Sequence, residues 1–126
     1  MDLYVTAGDE LPLYRQIIRQ ITDAIAGARL EPGDKLPSHR DLATQLVIAP
    51  LTVKKAYDEL EQGGLIETQR GRGTFVRRRL PRAQDGDSRE RLRDAGQRLL
   101  SQAALRGVPF SEVLNLLEEI RKGMES

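Results

Sequence analysis

With 126 residues, 39% of them hydrophobic and only 4% aromatic, the chain can build one small helical domain plus an appended element, but not an aromatic-rich sandwich. It has no cysteine and a single histidine, His39, which excludes disulfides, thiolate metal sites and histidine-rich metal sites, so no cofactor or metal is expected. The formal net charge is +1, yet residues 1–34 carry −3, residues 35–82 carry +5 and residues 83–126 carry −1, so the positive charge sits in the middle of the chain, as on a surface for a polyanion.

The opening residues lack the basic and apolar regions of a secretory signal. No apolar run approaches the roughly 18–20 residues of a membrane span. A soluble, cytoplasmic protein without a membrane partner is expected.

Residues 12–29 are predicted to form the first helix. Pro12 suits a first helical position, and Leu13, Ile17, Ile21, Ala24, Ile25 and Ala28 recur on one face. The segment 31–37, EPGDKLP, breaks it with a Pro-Gly turn and a second proline. A short second helix starts at Ser38, where Ser38 and Asp41 have capping-box spacing, with Leu42, Ala43 and Leu46 as its apolar positions. A third helix follows from Pro50, with Val53, Ala56, Tyr57 and Leu60 at i, i+3, i+4 and i+7, and stops at Gly63-Gly64. Two β-prone runs, 65–69 and 74–78, flank Arg70-Gly71-Arg72-Gly73 and read as a hairpin. Residues 79–88 read as a linker, followed by helices over 89–106 and 109–123.

The resulting fold class is mostly α with a small β-hairpin. A winged helix-turn-helix over residues 1–78 is followed by a two-helix element over 89–126. A helix entering a major groove reads bases with side chains near its N-terminus, here Ala49, Pro50, Leu51, Lys54 and Lys55. Lys54 can meet guanine acceptors or a phosphate; Ala49, Pro50 and Leu51 offer apolar contact, for instance to a thymine methyl. Ser38 and Thr52 can give hydroxyl bonds to phosphates, and Arg40 can hold a phosphate or a base edge. Between residues 69 and 82 lie six arginines and no acid. Gly71 and Gly73 allow a tight tip that holds Arg70 and Arg72 out on a narrow arm suited to a minor groove. Arg77, Arg78, Arg79 and Arg82 continue along the strand and linker toward phosphates.

The combination Leu36-Pro37-Ser38, Arg40, Leu42-Ala43, Thr52-Val53, Ala56-Tyr57, Leu60, Gly64-Leu65-Ile66 and Gly71-Arg72-Gly73-Thr74-Phe75-Val76 resembles the DNA-binding domain of GntR-family bacterial transcription regulators. The likeness covers about residues 10–78 in one register. The short tail, with its ending 105–120, is similar to the YtrA-like subfamily, whose two helices form a dimerisation element. The resemblance implies DNA contacts at Arg40, Ala49, Pro50, Thr52, Lys54, Gly71 and Arg72. Many family members have a polar-basic pair where this chain has Ala49-Pro50, so its base-reading chemistry is thinner.

The resemblance implies a homodimeric regulator, a repressor by expectation, on an inverted-repeat operator in double-stranded DNA. Leu92, Leu99, Leu100, Phe110, Val113, Leu114, Leu117 and Ile120 are the expected dimerisation residues. The two-helix tail leaves little room for an enclosed ligand site, so the pocket of any small-molecule effector, its identity unknown, would lie at the dimer interface or against the winged domain. A rival of another class is an adaptor whose basic wing binds an acidic protein. An enzyme is not expected, since no nucleophile elbow, His-Asp-Ser set or carboxylate pair is present.

Overall fold

The computed structural model describes residues 2–82 and 86–125. They form two compact units, Met1–Pro81 and Arg82–Ser126. The element order is α1 (Leu13–Ala26), β1 (Lys35–Leu36), α2 (His39–Leu46), α3 (Pro50–Gln62), β2 (Ile66–Gln69), β3 (Gly73–Val76), α4 (Gly86–Leu105) and α5 (Phe110–Glu125).

In the first unit α1 buries Ile17, Ile21, Ala24 and Ile25 against α3, whose Val53, Ala56, Tyr57 and Leu60 face inward. Leu42 and Ala43 of α2 complete the helical side, and Leu36, Ile66 and Val76 close the core from the sheet. The expected first helix ran through residue 29; α1 ends at Ala26. Gly27 follows as its cap, and Ala28 is exposed at φ +59° rather than on the apolar face.

Gln16 is a polar residue inside this core. Its side-chain amide donates to the carbonyls of Thr6 (3.0 Å) and Leu11 (2.8 Å), and its Oε1 accepts from the Thr6 amide at 2.8 Å. One turn on, Gln20 exchanges the same pair of bonds with Tyr4. The two glutamines at i, i+4 stand on one face of α1 and satisfy the backbone of the extended N-terminal segment.

The sheet has a third strand beyond the expected hairpin. Its order is β1-β3-β2, all antiparallel, with Lys35 opposite Phe75 and Leu36 opposite Thr74. Two residues give no periodicity to read. The strand exists because β3 offers its second edge and because Gly33, at φ +91°, turns the chain so that its amide reaches the Val76 carbonyl at 2.9 Å. Ser38 caps α2 as expected, its hydroxyl accepting from the Asp41 amide at 3.0 Å.

In the second unit α4 begins at Gly86, inside the expected linker 79–88; residues 83–85 of that linker lie outside the described residues. Gly-Asp-Ser reads as loop by composition, but such residues serve equally well at the start of a helix. Gly107, at φ +69°, ends the helical run, and the Val108 amide returns to the Ala103 carbonyl at 2.9 Å. Helices α4 and α5 touch each other, and Val113 is buried. Apolar positions of α4 are left open within the unit: Leu92 is 73% exposed and Ala95 is exposed. Among the described residues no helix is long and apolar enough to cross a membrane.

Candidate nucleic-acid interface

Helices α2 and α3 pack on each other across the short turn Val47–Ala49. The turn is left-handed at Val47, with φ +57°, and the Ile48 amide closes it on the Ala43 carbonyl at 3.0 Å. This is a helix-turn-helix. Ala49 caps α3 in extended conformation and Pro50 occupies its first turn, where a missing N–H costs nothing. Ala49, Pro50 and Leu51 are exposed, while Thr52 is half-buried. Arg40, exposed near the start of α2, has no acidic partner among the described residues.

The two lysines of α3 have different surroundings. Lys54 Nζ lies 3.0 Å from Asp58 Oδ2, one turn along the helix, and both side chains are about half exposed. Lys55 Nζ sits 4.0 Å from the centroid of the Tyr14 ring on α1. The structure thus does not bring Lys55 together with Lys54; it turns Lys55 onto an aromatic face that stabilises a cation.

The hairpin tip is built as its composition suggests. Gly71 is at φ +76° and a Cβ there would meet open space, so the backbone conformation alone demands glycine. Gly73 is at φ +128°, and a Cβ on it would stand 2.8 Å from Lys35 Cε. The stem of Lys35 therefore lies across Gly73 and brings a third cation to the base of the wing. Sequence reasoning missed it, because Lys35 belongs to the strand that has no pattern of its own. Arg70 and Arg72 are exposed, with no ion-pair partner among the described residues.

The other end of β3 is different. The Arg78 guanidinium packs about 3.5 Å from where a Cβ on Gly33 would be, and Arg77 lies against Gly64. The basic run is thus split between the two ends of a four-residue strand, about 13 Å apart. Arg77 and Arg78 cover glycine turns there and do not extend the row of charge at the tip.

Two side chains tie these parts together. Tyr57 of α3 donates its hydroxyl to the Pro37 carbonyl at 2.8 Å, which holds the start of α2 against α3. Burial pushes the Tyr57 phenol well above its ordinary range, so it stays a donor. Glu61, near the end of α3, accepts from the Thr68 amide at 2.8 Å and fastens the wing to that helix.

A helix-turn-helix followed by a glycine-tipped basic hairpin defines a winged-helix DNA-binding protein. Residues 13–76 match the family of bacterial regulatory proteins called the gntR family, and the chain belongs to that family. Among its relatives, the HTH-type transcriptional repressor YtrA of Bacillus subtilis (strain 168) is 38% identical over 109 residues, 86% of this chain and 84% of YtrA. Among solved structures, a transcriptional antiterminator from Listeria monocytogenes EGD-e superposes with a TM-score of 0.87 at 26% identity, covering 100% of this chain and 94% of its own. The DNA-binding domain of AraR in complex with the operator ORX1 superposes with a TM-score of 0.55 at 29% identity, over 59% of this chain and 94% of its own. The protein is accordingly a DNA-binding, YtrA-like transcription regulator and not an enzyme.

Proposed function

We propose that this protein is a cytoplasmic repressor that binds an inverted-repeat operator as a homodimer. The N-terminus of α3 lies in the major groove and the wing tip in the adjacent minor groove. The observation that carries the reading is that Arg70 and Arg72, exposed on a glycine tip and without an ion-pair partner among the described residues, belong to the same unit as an exposed helix N-terminus. Ser38, Arg40, Ala49, Pro50, Leu51, Thr52, Lys54, Arg70, Gly71, Arg72 and Gly73 are its contact residues, and Lys35 joins them at the base of the wing. Lys55, held over Tyr14, contributes to the field rather than to a base contact. Repression is supported by the name of the relative YtrA.

Dimerisation is assigned to the second unit. Phe110, Val113, Leu114, Leu117 and Ile120 fall at i, i+3, i+4, i+7 and i+10 of α5, and of these only Val113 is buried within the chain. Phe110 is 61% exposed and Ile120 49%. So large an apolar stripe on a small unit supports a second copy as its cover, with Leu92, Leu99 and Leu100 of α4 as further contacts. A twofold dimer would set its recognition helices about 34–36 Å apart.

The test is selection of bound fragments from random DNA at two salt concentrations, with sedimentation of the same protein. Enrichment of an inverted repeat that weakens by orders of magnitude between roughly 50 and 200 mM salt, by a dimer, is the expected result. Leu117→Glu with Ile120→Glu should yield a folded monomer with much weaker operator binding. Uniform recovery of all DNA, or a dimer unaffected by the pair of charges, would overturn the corresponding half of the proposal.

A further inference from the structure

The turn of the helix-turn-helix holds a residue that protein stability does not explain. Val47 is a β-branched side chain in the left-handed region, at φ +57°, where glycine or asparagine is the unstrained choice. It is also 88% exposed, so no packing within its own unit offsets the strain. Leu51, on the first turn of α3, is 77% exposed. Between them lie exposed Ala49 and Pro50, with half-buried Ile48. The turn and the first residues of the recognition helix thus present aliphatic carbon. Of the two lysines further along α3, Lys54 is tied to Asp58 and Lys55 to the Tyr14 ring.

An apolar surface in this position can distinguish one feature of duplex DNA. In the major groove each base pair shows hydrogen-bond donors and acceptors, and thymine alone among the four bases adds a methyl group. Building on the proposed operator binding, we propose that Val47 and Leu51 are specificity-determining residues that recognise thymine 5-methyl groups, so that A·T pairs under the turn of each recognition helix are chosen by apolar contact rather than by hydrogen bonds. The strain at Val47 then has a reason, because glycine there would relax the backbone but present no methyl-sized surface to the groove. Backbone strain retained at an exposed site is the kind of outlier from which a function is inferred.

The experiment uses the full chain and the duplex obtained by selection from random DNA. Each thymine of a half-site is replaced in turn by deoxyuridine, which removes the methyl and leaves the O4 acceptor in place. Binding is measured by fluorescence anisotropy for the wild type, Val47→Gly and Leu51→Ala. The wild type should lose about fourfold in affinity for each contacted methyl removed. In Val47→Gly the loss at one thymine should vanish while the protein melts at a higher temperature; in Leu51→Ala the loss at a neighbouring thymine should vanish. A purely structural role for Val47 would raise the melting temperature without changing the thymine-to-uracil ratio, and would overturn the assignment of Val47. Equal binding of thymine and deoxyuridine duplexes by the wild type would overturn the inference and leave operator binding intact. Failure to enrich any sequence would overturn both.

Discussion

In the proposed complex the wing tip and the start of α3 are opposite solutions to meeting DNA. The wing presents Arg70 and Arg72 on a turn whose glycines are required by backbone conformation, with Lys35 laid across its base. The first turn of α3 presents Ala49, Pro50 and Leu51, and the first cation along that helix, Lys54, is already paired with Asp58. Charge acts on every phosphate alike, whereas shape and methyl contact depend on sequence. In the proposed complex the wing therefore supplies affinity and salt dependence, and the helix supplies discrimination.

The comparison breaks most visibly at the tip. Arg70→Ala with Arg72→Ala should lower affinity for specific and unrelated duplexes alike, by about a hundredfold at low salt. The slope of log affinity against log salt should become shallower by about 2. Titrations of both duplexes at several salt concentrations measure this. A loss confined to the operator would mean that the wing reads sequence.

Gly73→Ala acts on the wing through the backbone. It forces a side chain into φ +128° and against Lys35 Cε, so a stability loss of about 1–2 kcal/mol is expected in urea denaturation. Gly71→Ala shares the backbone strain but meets no neighbour, and should cost less.

Asp58→Asn sharpens the helical side. Removing the carboxylate frees Lys54 from its ion pair. Affinity should rise about threefold to tenfold at low salt, with a steeper salt slope. An unchanged slope would show that Lys54 faces no phosphate.

The smallest effect belongs to neither surface. Tyr57→Phe deletes the bond to the Pro37 carbonyl and should cost about 1 kcal/mol of stability with operator affinity unchanged. Because burial holds the Tyr57 phenol above its ordinary value of 10.0, the folded chain keeps that proton while the unfolded chain loses it. Wild-type stability should therefore fall as pH rises past 10, and Tyr57→Phe should fall less steeply. Thermal melts across alkaline pH measure both.

Much of the architecture was legible because its signals are local. The apolar spacing of α1 and α3, the Ser38 cap and the glycine tip each follow from residues within a turn or two of one another. Gln16 was not legible, since its burial depends on where residues 6 and 11 pass. Strand β1 and Lys35 were hidden for the same reason: two residues become a strand only beside β3. The row of arginines after the tip read as one basic track, but the strand carries Arg77 and Arg78 to its far end, over Gly64 and Gly33.

For the candidate site, composition identified the cations and left their partners open. Lys54 and Lys55 are neighbours in sequence, yet one meets an acid a turn away and the other an aromatic ring on α1. Nothing local marks Val47 as strained, because valine is common and the left-handed turn is imposed by the packing of α2 on α3.

By itself the sequence determined which segments are helical, where glycine and proline turn the chain and which stretch carries the positive charge, because propensity, periodicity and glycine or proline punctuation act over a few residues. Only the tertiary structure decided which cations remain unpaired, which polar group enters the core and which backbone angle is forced on Val47, because each of these is set by segments brought together from distant parts of the chain.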